Sequence, residues 1–349
     1  MRLPVKSMEQ PDKNVINKWV FIGGAPRSGT SLLQAILNEH SQCVSPPESH
    51  ILETFVYAAT SQIEKKFKDH KQLVEFIKKD KWIHRLAIDP EEIVKELHGN
   101  DDALELFRLY MQHYAARVKK EIMIDGCPIN IWFLKKLYID FPGCYVLHIV
   151  RDPRDVVMST MKAAYTKHFD FPPPQIAKQF MESYLQSERF AHLYGERYLK
   201  IYYEELVSDP EKVIKSVCSC LGIEFEKEML EFHKSSQKVS SEEEVWKENL
   251  SKPFLKDNFG KWKTVMTKEN IIRVEYICKH FFKLEKQHYS RSAIQKRSNA
   301  IKSLSILADY HTTETKRRIR RMMNGRKTKE QLDKMPPYER MRINGYLKK

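Results

Sequence analysis

The segment 19–37 constrains the fold more than any other part of the chain. Residues 19–22 form a short apolar run of β-prone types, long enough for one buried strand. Two glycines and a proline end this run, and a helical pattern then begins at Thr30, with apolar residues at helical spacing up to Leu37. A strand, a tight glycine-rich loop and a helix in this order direct backbone N–H groups and a helix N-terminus at an anion. The sequence therefore predicts an anion-binding unit within an α/β fold.

The loop differs in one position from a nucleoside-triphosphate loop, which has the pattern Gly-x-x-x-x-Gly-Lys-Ser/Thr. Gly24 and Gly29 stand at the two glycine positions, but Thr30 replaces the lysine that contacts the β- and γ-phosphates. The cation of this loop is Arg27 instead. A kinase or ATPase would also need ATP, Mg²⁺ and a carboxylate that helps to hold the ion. That class is the alternative which the exchange of Lys for Thr argues against.

A second strand followed by a helix start carries another anion-binding pattern. Residues 145–150 form an apolar strand-like run, and Arg151 follows it directly. Pro153 starts the next helix, which carries Ser159 about two turns later. A guanidinium and a hydroxyl in these places can bind a phosphate through charge-assisted hydrogen bonds. The alternative is an Asp-Arg ion-pair cluster that only caps the helix.

Together, the two segments resemble the sulfotransferases that use 3′-phosphoadenylyl sulfate (PAPS), nearest the branch of the tyrosylprotein sulfotransferases and related bacterial enzymes. The resemblance covers about residues 18–288 and implies a doubly wound parallel sheet with a P-loop-like phosphosulfate loop. It implies that the loop binds the 5′-phosphosulfate, that Arg151 and Ser159 bind the 3′-phosphate, and that the chemistry needs no metal. The implied donor-binding residues are Arg27, Ser28, Gly29, Thr30, Ser31, Arg151, Ser159, Tyr203, Lys252 and Lys261.

The same resemblance implies which residues are catalytic. Glu48 lies just beyond a short strand that begins near Val44, and a glutamate at this place is the general base that takes the proton of the acceptor hydroxyl. His50 stands where the family has an arginine, and it is the competing base because its ordinary pKa suits proton transfer at neutral pH. Arg27 is the second implied catalytic residue. The acceptor remains open among peptide tyrosine, carbohydrate and lipid-linked glycan.

Gly126 departs from the family pattern. The family usually has a lysine two residues before the proline that is here Pro128, and that lysine helps to stabilise charge on the transferring sulfuryl group. Asp125 and Asn130 are polar groups nearby, but neither replaces a cation. Arg27 or a distant lysine would then have to neutralise the leaving phosphate. This departure keeps a third hypothesis open, a nucleotide-binding scaffold without catalysis.

Residues late in the resemblance have two open interpretations. Tyr203, at the end of a predicted strand, either touches the nucleotide or only packs. Lys252 and Lys261 lie in segments that resemble the part of the family which folds over the nucleotide, whereas Trp262 fits either a place near the adenine or the core. Residues 234–250 are polar and rich in Glu, and they predict a lid or loop.

The predicted organisation is one α/β domain with additions, because 349 residues with 42% hydrophobic content can bury a substantial core. In the helical insertion at 52–120, Asp89 and Pro90 together predict the start of a helix, and Gly99 predicts its end. The following helix has Tyr110 at the edge of its apolar face. We interpret the insertion as a subdomain beside the acceptor site; helices that only pack are the alternative. The predicted parts are an N-terminal extension (1–18), a sulfotransferase domain (19–288) with a helical insertion (52–120), and a basic C-terminal appendage (289–349).

Positive charge is concentrated near the C-terminus. Residues 286–349 hold 18 Lys and Arg against 5 Asp and Glu, which accounts for almost all of the net charge of +14. This segment predicts attraction to an anionic membrane surface or an acidic polymer, while nucleic acid is not favoured because no binding module accompanies the charge. Six cysteines without zinc-like spacing, and a start without a signal-like apolar centre, predict a cytoplasmic or membrane-peripheral protein with reduced thiols.

Overall fold

A five-stranded parallel sheet forms the centre of the computed structural model, which describes residues 15–56, 69–80, 82–97, 103–163, 172–234, 249–292 and 308. The strands are β1 (Lys18–Gly23), β2 (Cys43–Val44), β3 (Ile122–Asp125), β4 (Tyr145–Val150) and β5 (Tyr198–Tyr202). Their order is β2-β3-β1-β4-β5, and every pair is parallel. The carboxyl ends of all five strands therefore meet at one edge, where open α/β sheets bind ligands.

Helices cover both faces of this sheet. In β1, Phe21 packs into one apolar cluster with the inserted helices, whereas Val20 and Ile22 pack into another on the opposite face. This alternation confirms the predicted α/β fold with a parallel sheet wound on both sides. The helices are α1 (Thr30–Asn38), α2 (His70–Lys79), α3 (Pro90–Glu96), α4 (Ala103–Val118), α5 (Leu134–Asp140), α6 (Pro153–Lys162), α7 (Pro173–Phe190), α8 (Tyr203–Ser208), α9 (Pro210–Leu221), α10 (Trp262–Val265), α11 (Lys268–Ile277) and α12 (Lys279–Leu284).

The insertion between β2 and β3 is helical where it is described, as predicted. Asp89 caps α3 by accepting a hydrogen bond from the backbone N–H of Glu91 at 2.9 Å, and Pro90 is the first helical residue. Tyr110 is fully buried on α4, which packs against α3, β3 and the turn at 52–56. The predicted helix end at Gly99 lies outside the described residues.

Three predicted parts fall largely outside the described part of the chain, namely the basic appendage, the lid and the N-terminal extension. Of the basic appendage, the structure describes only 289–292 and 308, and of the lid at 234–250 only its first and last two residues. Of the N-terminal extension it describes residues 15–18. Within the described ranges, the helices lack the combination of length and apolar character that crossing a bilayer requires.

Candidate active site

The candidate site residues form two groups at the carboxyl edge of the sheet. The β1–β4–β5 half comprises Arg27, Ser28, Arg151, Ser159, Tyr203 and Asn258. The β2–β3 half comprises Gln34, Glu48, His50, Gly126 and Cys127. Segments that follow neighbouring parallel strands supply most of each group, so the topology of the sheet places them side by side.

The glycine-rich loop after β1 has a backbone that only particular residues tolerate. Gly29 has a φ of 110°, and a Cβ at this position would lie 2.5 Å from the ring of Tyr203. Glycine is therefore required at position 29 both by the backbone conformation and by the close approach of the ring. Arg27 also adopts a left-handed φ of 73°, and the N–H of Ser28 donates to the carbonyl of Ala25 at 3.1 Å. The loop is thus a tight turn that leads directly into α1.

Arg151 connects this loop to two other segments. Its Nη1 donates to the carbonyl oxygen of Arg27 at 3.1 Å, and its Nη2 donates to the carbonyl oxygen of Asn258 at 2.7 Å. The guanidinium lies 4.1 Å from the centre of the Tyr203 ring, and Tyr203 Oη accepts a hydrogen bond from Asn258 Nδ2 at 2.8 Å. A guanidinium–aromatic contact away from water contributes up to about 2 kcal/mol. Arg151 and Tyr203 therefore fix each other at the edge of the loop.

The two predicted anion-binding motifs contact each other directly. Arg27 Nε donates to Ser159 Oγ at 3.3 Å, although the residues are far apart in sequence. Lys261 is joined to the same region, because its Nζ donates to Asn258 Oδ1 at 2.8 Å from an exposed position. Lys252 lies on the surface.

Arg154, three residues beyond Arg151, forms the ion-pair cluster that the sequence left as an alternative. It is buried between Asp152, at 2.6 Å, and Glu275, at 2.7 Å. Although burial opposes the effect, these two carboxylates raise the pKa of Arg154 above its ordinary value. Trp262 is buried with its ring 3.8 Å from this guanidinium, so it packs against Arg154. The ion-pair cluster thus involves Arg154, whereas Arg151 has different partners.

The carboxylate of Asp155 binds the backbone of the segment that carries Asn258 and Lys261. Its carboxylate accepts hydrogen bonds from the backbone N–H groups of Gly260 and, at 3.1 Å, of Trp262. Burial raises the pKa of Asp155, although the Gly260 N–H and the positive charge of Arg151 oppose that shift. The start of α6 therefore supports the late segment beside the loop.

Two buried polar atoms in this half have no hydrogen-bond partner among the described residues. They are Ser28 Oγ and Arg151 Nε. Leaving such a group unpaired costs about 1–3 kcal/mol, so both are suited to a ligand that accepts hydrogen bonds. In addition, α1 has no side-chain cap and no acidic residue in its first turn, so its N-terminal N–H groups and positive dipole end face the loop uncompensated. This donor set fits a phosphate or sulfate group.

In the β2–β3 half, His50 lies between Glu48 and Cys127. Its Nε2 is 3.9 Å from Glu48 Oε2, and its Nδ1 is 3.6 Å from Cys127 Sγ. The side chains of Glu48 and His50 are only 12% and 11% exposed. His50 has a left-handed φ of 55°, and its ring meets Trp82 of the insertion edge-on at 4.5 Å between centroids. The insertion therefore contacts the site directly.

Gln34 fills the space where the family lysine would stand. Its Nε2 donates to the carbonyl of Pro46 at 2.7 Å, and its Oε1 is buried without a partner among the described residues. A Cβ at Gly126 would lie 2.4 Å from Gln34 Cδ. Asp125 and Asn130, the polar groups noted in the sequence, form hydrogen bonds to neighbouring backbone atoms. A side chain at position 126 would thus overlap the uncharged amide of Gln34.

Three residues of the two halves were missed in the sequence, namely Gln34, Cys127 and Asn258. The place of Cys127 could have been predicted from the sequence, because Cys127 comes shortly after β3. If β3 is paired with β2, Cys127 lies near the loop after β2 that carries Glu48 and His50. Gln34 had a weaker signal, since it interrupts the apolar residues of α1 and is nevertheless buried. Asn258 had none, because only the tertiary fold brings it to Arg151.

The fold defines a class, the α/β proteins that have a parallel sheet with a strand–loop–helix unit at its carboxyl edge. Residues 20–227 match the model of the sulfotransferase family, which is more than half of the chain. The chain therefore belongs to the sulfotransferase family, and this confirms the resemblance found in the sequence.

Curated relatives include two that are named as sulfotransferases. A putative protein-tyrosine sulfotransferase of Caenorhabditis briggsae is 22% identical over 221 residues, covering 61% of this chain and 69% of the relative. An omega-hydroxy-beta-dihydromenaquinone-9 sulfotransferase of Mycobacterium tuberculosis is 31% identical over 128 residues, covering 34% and 32%. An uncharacterized protein of Aquifex aeolicus is 23% identical over 232 residues, covering 64% and 28%. The chain thus spans less than a third of the mycobacterial and Aquifex relatives.

Solved structures share the fold. The sulfotransferase domain of the Synechococcus PCC 7002 olefin synthase superposes with a TM-score of 0.55 at 21% identity, covering 79% of this chain and 98% of that domain. The sulfotransferase domain from the curacin biosynthetic pathway gives 0.50 at 20% identity, covering 76% and 97%. At these identities the likeness is one of architecture.

Proposed function

We propose that this chain is a PAPS-dependent sulfotransferase that moves the sulfuryl group to an acceptor hydroxyl. The observation that carries the proposal is the contact between the two anion-binding motifs. Arg27 Nε donates to Ser159 Oγ at 3.3 Å, and Arg151 Nη1 donates to the carbonyl of Arg27 at 3.1 Å. A ligand with a phosphosulfate at one end and a second phosphate at the other can therefore engage both motifs at once.

The donor set supports particular places for the two ends of PAPS. We assign the 5′-phosphosulfate to Ser28 Oγ, to the side chain of Arg27 and to the backbone N–H groups of residues 28–31 at the start of α1. We assign the 3′-phosphate to Ser159 and to the Nε of Arg151, which has no partner among the described residues. At the edge of this site we also assign Tyr203 to the nucleotide, and Lys252 and Lys261 to its phosphates.

The proposed proton acceptors lie in the β2–β3 half, next to the donor site. Glu48 takes the proton of the acceptor hydroxyl while the acceptor oxygen bonds to sulfur and the bond from sulfur to the phosphate oxygen breaks. Arg27 stabilises the charge that develops on the leaving phosphate, because fixed donors in a partly dry site are effective at this task. His50, 3.9 Å from Glu48, is the alternative proton acceptor. This in-line transfer requires no metal ion.

The helical insertion supports a role on the acceptor side. Trp82 touches His50, so the insertion reaches the half that holds the proposed base. The names of the relatives point to different acceptors, tyrosine in the nematode protein and a menaquinone hydroxyl in the mycobacterial one. We keep peptide tyrosine, carbohydrate and lipid-linked glycan as acceptor classes for this chain.

Turnover of sulfur-labelled PAPS with a panel of hydroxyl acceptors tests the proposal. Transfer of label to any acceptor, with formation of adenosine 3′,5′-bisphosphate, is the expected result. Hydrolysis of ATP with Mg²⁺, and no use of PAPS, would instead favour a kinase or ATPase. Tight binding of the nucleotide without any product would favour a scaffold.

The basic segment supports a separate, peripheral role. We propose that residues 286–349 attract the protein to an anionic lipid surface or an acidic polymer, because they carry nearly all of its net charge. Salt-sensitive adsorption to anionic vesicles, or to heparin as the acidic polymer, should be lost on deletion of residues 290–349. Unchanged adsorption of the deletion variant would contradict this role.

A further inference from the structure

We infer that Glu48, His50 and Cys127 form a binding site for Zn²⁺ whose occupation stops the transfer reaction. No residue was predicted as a metal ligand from the sequence, since the cysteines have no zinc-like spacing. The metal site itself is independent of the proposed function. Only its inhibitory effect rests on that function, because it requires Glu48 to be the proton acceptor.

The three side chains offer the ligand types that zinc takes in proteins, namely sulfur, imidazole nitrogen and carboxylate oxygen. One ligand atom from each lies within 4.8 Å of the others. Tetrahedral coordination at ordinary zinc bond lengths separates a sulfur from a nitrogen by about 3.6 Å and a nitrogen from an oxygen by about 3.4 Å. Because these atoms are all within 4.8 Å of one another, each separation has to shorten by at most about 1.4 Å to reach tetrahedral coordination. Within the described ranges, this is the single group of three such side chains this close together.

The backbone holds the three ligands on adjacent strand ends. Cys43 and Val44 of β2 pair with β3, so the loop that carries Glu48 and His50 emerges beside the residue that follows β3. The N–H of Cys127 donates to Asp125 Oδ1 at 3.0 Å, which fixes the backbone at the thiol. The three ligands come from two short loops, so ordering them for the metal requires little change in the chain.

Charge and solvent access also favour a cation here. The preceding position, Gly126, lacks the lysine usual in the family, and a lysine there would repel a divalent cation at close range. The side chains of Glu48 and His50 retain 12% and 11% exposure, so an ion can reach ligands that are otherwise shielded from water. Three protein ligands leave a fourth position for water, which is typical of zinc sites that are not purely structural.

Occupation has a direct chemical consequence. A carboxylate oxygen of Glu48 that donates its electron pair to Zn²⁺ can no longer use that pair to accept the acceptor proton. Zinc should therefore lower the rate of sulfuryl transfer while the affinity for adenosine 3′,5′-bisphosphate stays unchanged, since the nucleotide residues lie in the other half of the edge.

Cobalt titration of the full chain tests the site without reference to activity. Co²⁺ replaces Zn²⁺ in such sites, and a Cys ligand produces a thiolate-to-cobalt charge-transfer band in the near ultraviolet, which Zn²⁺ then abolishes by displacement. Cys127→Ser should remove this band and weaken Zn²⁺ binding at least about tenfold. The matched control is Cys220→Ser, a partly exposed thiol on α9, which should leave both unchanged. Cobalt binding without the band, or unaltered zinc affinity in Cys127→Ser, would overturn the site.

A second variant, His50→Asn, tests the site independently in case Cys127→Ser fails to fold. His50→Asn suits the left-handed φ of 55°, because asparagine tolerates that conformation better than most residues. It should also weaken Zn²⁺ binding at least about tenfold while circular dichroism stays as in the unaltered chain. Wild-type zinc affinity in a folded His50→Asn protein would overturn the assignment of the imidazole.

Transfer assays separate this inference from the proposed function. Inhibition of PAPS turnover by Zn²⁺, relieved by a chelator and weakened in Cys127→Ser, is the expected result. If PAPS is turned over but zinc inhibits Cys127→Ser as strongly as the unaltered chain, the zinc site is wrong and the function stands. If the cobalt band appears but no acceptor receives a sulfuryl group, the metal site stands and the proposed function fails.

Discussion

The two halves of the carboxyl edge are built differently. In the β1–β4–β5 half, hydrogen bonds between distant segments join Arg27, Arg151 and Ser159, the residues that we assign to the donor. In the β2–β3 half, Gly126 and His50 replace a lysine and an arginine of the family pattern. Both of these departures lie on the side of the proposed proton acceptor.

The two halves also differ in what holds their side chains. Arg151 is fixed by two backbone carbonyls and an aromatic ring, so its position depends on the packed segments around it. Glu48 and His50 lie in a loop after a strand of only two residues, next to an insertion. We therefore expect substitutions in the first half to affect donor binding and, at Arg27, transfer as well, whereas substitutions of the proton acceptors in the second half should affect turnover and leave donor binding unchanged.

The largest expected effect is that of Arg27→Ala. This change removes the cation of the loop and its hydrogen bond to Ser159, so we expect sulfuryl transfer to fall about 10³-fold, the upper range for loss of one charge-stabilising donor. Initial rates with labelled PAPS provide the measurement. Arg189→Ala, an exposed arginine on α7, is the matched control and should keep the rate. A rate for Arg27→Ala equal to that of the control would contradict the role of the loop cation.

Glu48→Gln should reduce kcat on the order of 10²-fold, at the low end of what a general base contributes. The expected loss of kcat is limited because His50, whose Nε2 lies 3.9 Å from Glu48 Oε2, can accept the acceptor proton in place of Glu48. Affinity for adenosine 3′,5′-bisphosphate, measured by calorimetry, should stay unchanged, which separates this half from the other. Full activity of Glu48→Gln would remove this carboxylate from the reaction, and a large loss of nucleotide affinity would break the division into two halves.

Gly126→Lys should lower the free energy of unfolding by about 1–3 kcal/mol, since the new side chain overlaps the buried Gln34. Adding Gln34→Ala frees this volume for the lysine stem, so the double variant should be more stable than Gly126→Lys alone. Urea denaturation of both variants and of Gln34→Ala measures the coupling. Strict additivity of the two changes would contradict the view that Gln34 fills the place of the family lysine.

The last expected effect concerns pH and His148, which lies on β4 in the β1–β4–β5 half. Burial lowers the pKa of His148 on β4 to about 3, from an ordinary value near 6.5. Between these values the unfolded chain binds the proton that the folded chain excludes. Stability therefore falls on acidification below about pH 6.5, by up to about 1.4 kcal/mol per pH unit.

Urea denaturation between pH 7 and pH 5 compares the unaltered chain with His148→Gln. The variant should lose less stability per pH unit, because it has no proton to exclude at this position. The strands of the other half, β2 and β3, contain no histidine, so this pH effect is expected from the β1–β4–β5 half. Equal slopes in both proteins would show that His148 is not held neutral by its burial.

Local patterns predicted much of the fold. The strand at 145–150 has the predicted bounds, and the capped start of α3 at Asp89 follows from the preference of Asp and Pro for these positions. The full burial of Tyr110 was not predicted, because helix periodicity identifies an apolar face but not how many neighbours cover it. Its burial depends on packing with segments that are distant in sequence.

The site was predictable to different extents in the two halves. Arg27, Arg151 and Ser159 belong to contiguous motifs, so their place in the fold could be inferred from a strand and the helix after it. The contact of Cys127 with His50, and the filling of the Gly126 space by Gln34, depend on which strands are neighbours and on side-chain volume. Such relations are not encoded in spacing along the chain.

The most direct test of the account is the affinity for adenosine 3′,5′-bisphosphate relative to AMP, measured by calorimetry on the unaltered chain and on Arg151→Ala. Hydrogen bonds to a charged group contribute about 1.5–3 kcal/mol each, so the 3′-phosphate should increase affinity about 10- to 100-fold. In Arg151→Ala this preference should largely disappear while AMP binding changes little. Equal affinity of the unaltered chain for the two nucleotides would contradict the central claim that two coupled anion-binding motifs recognise one adenosine-based sulfate donor.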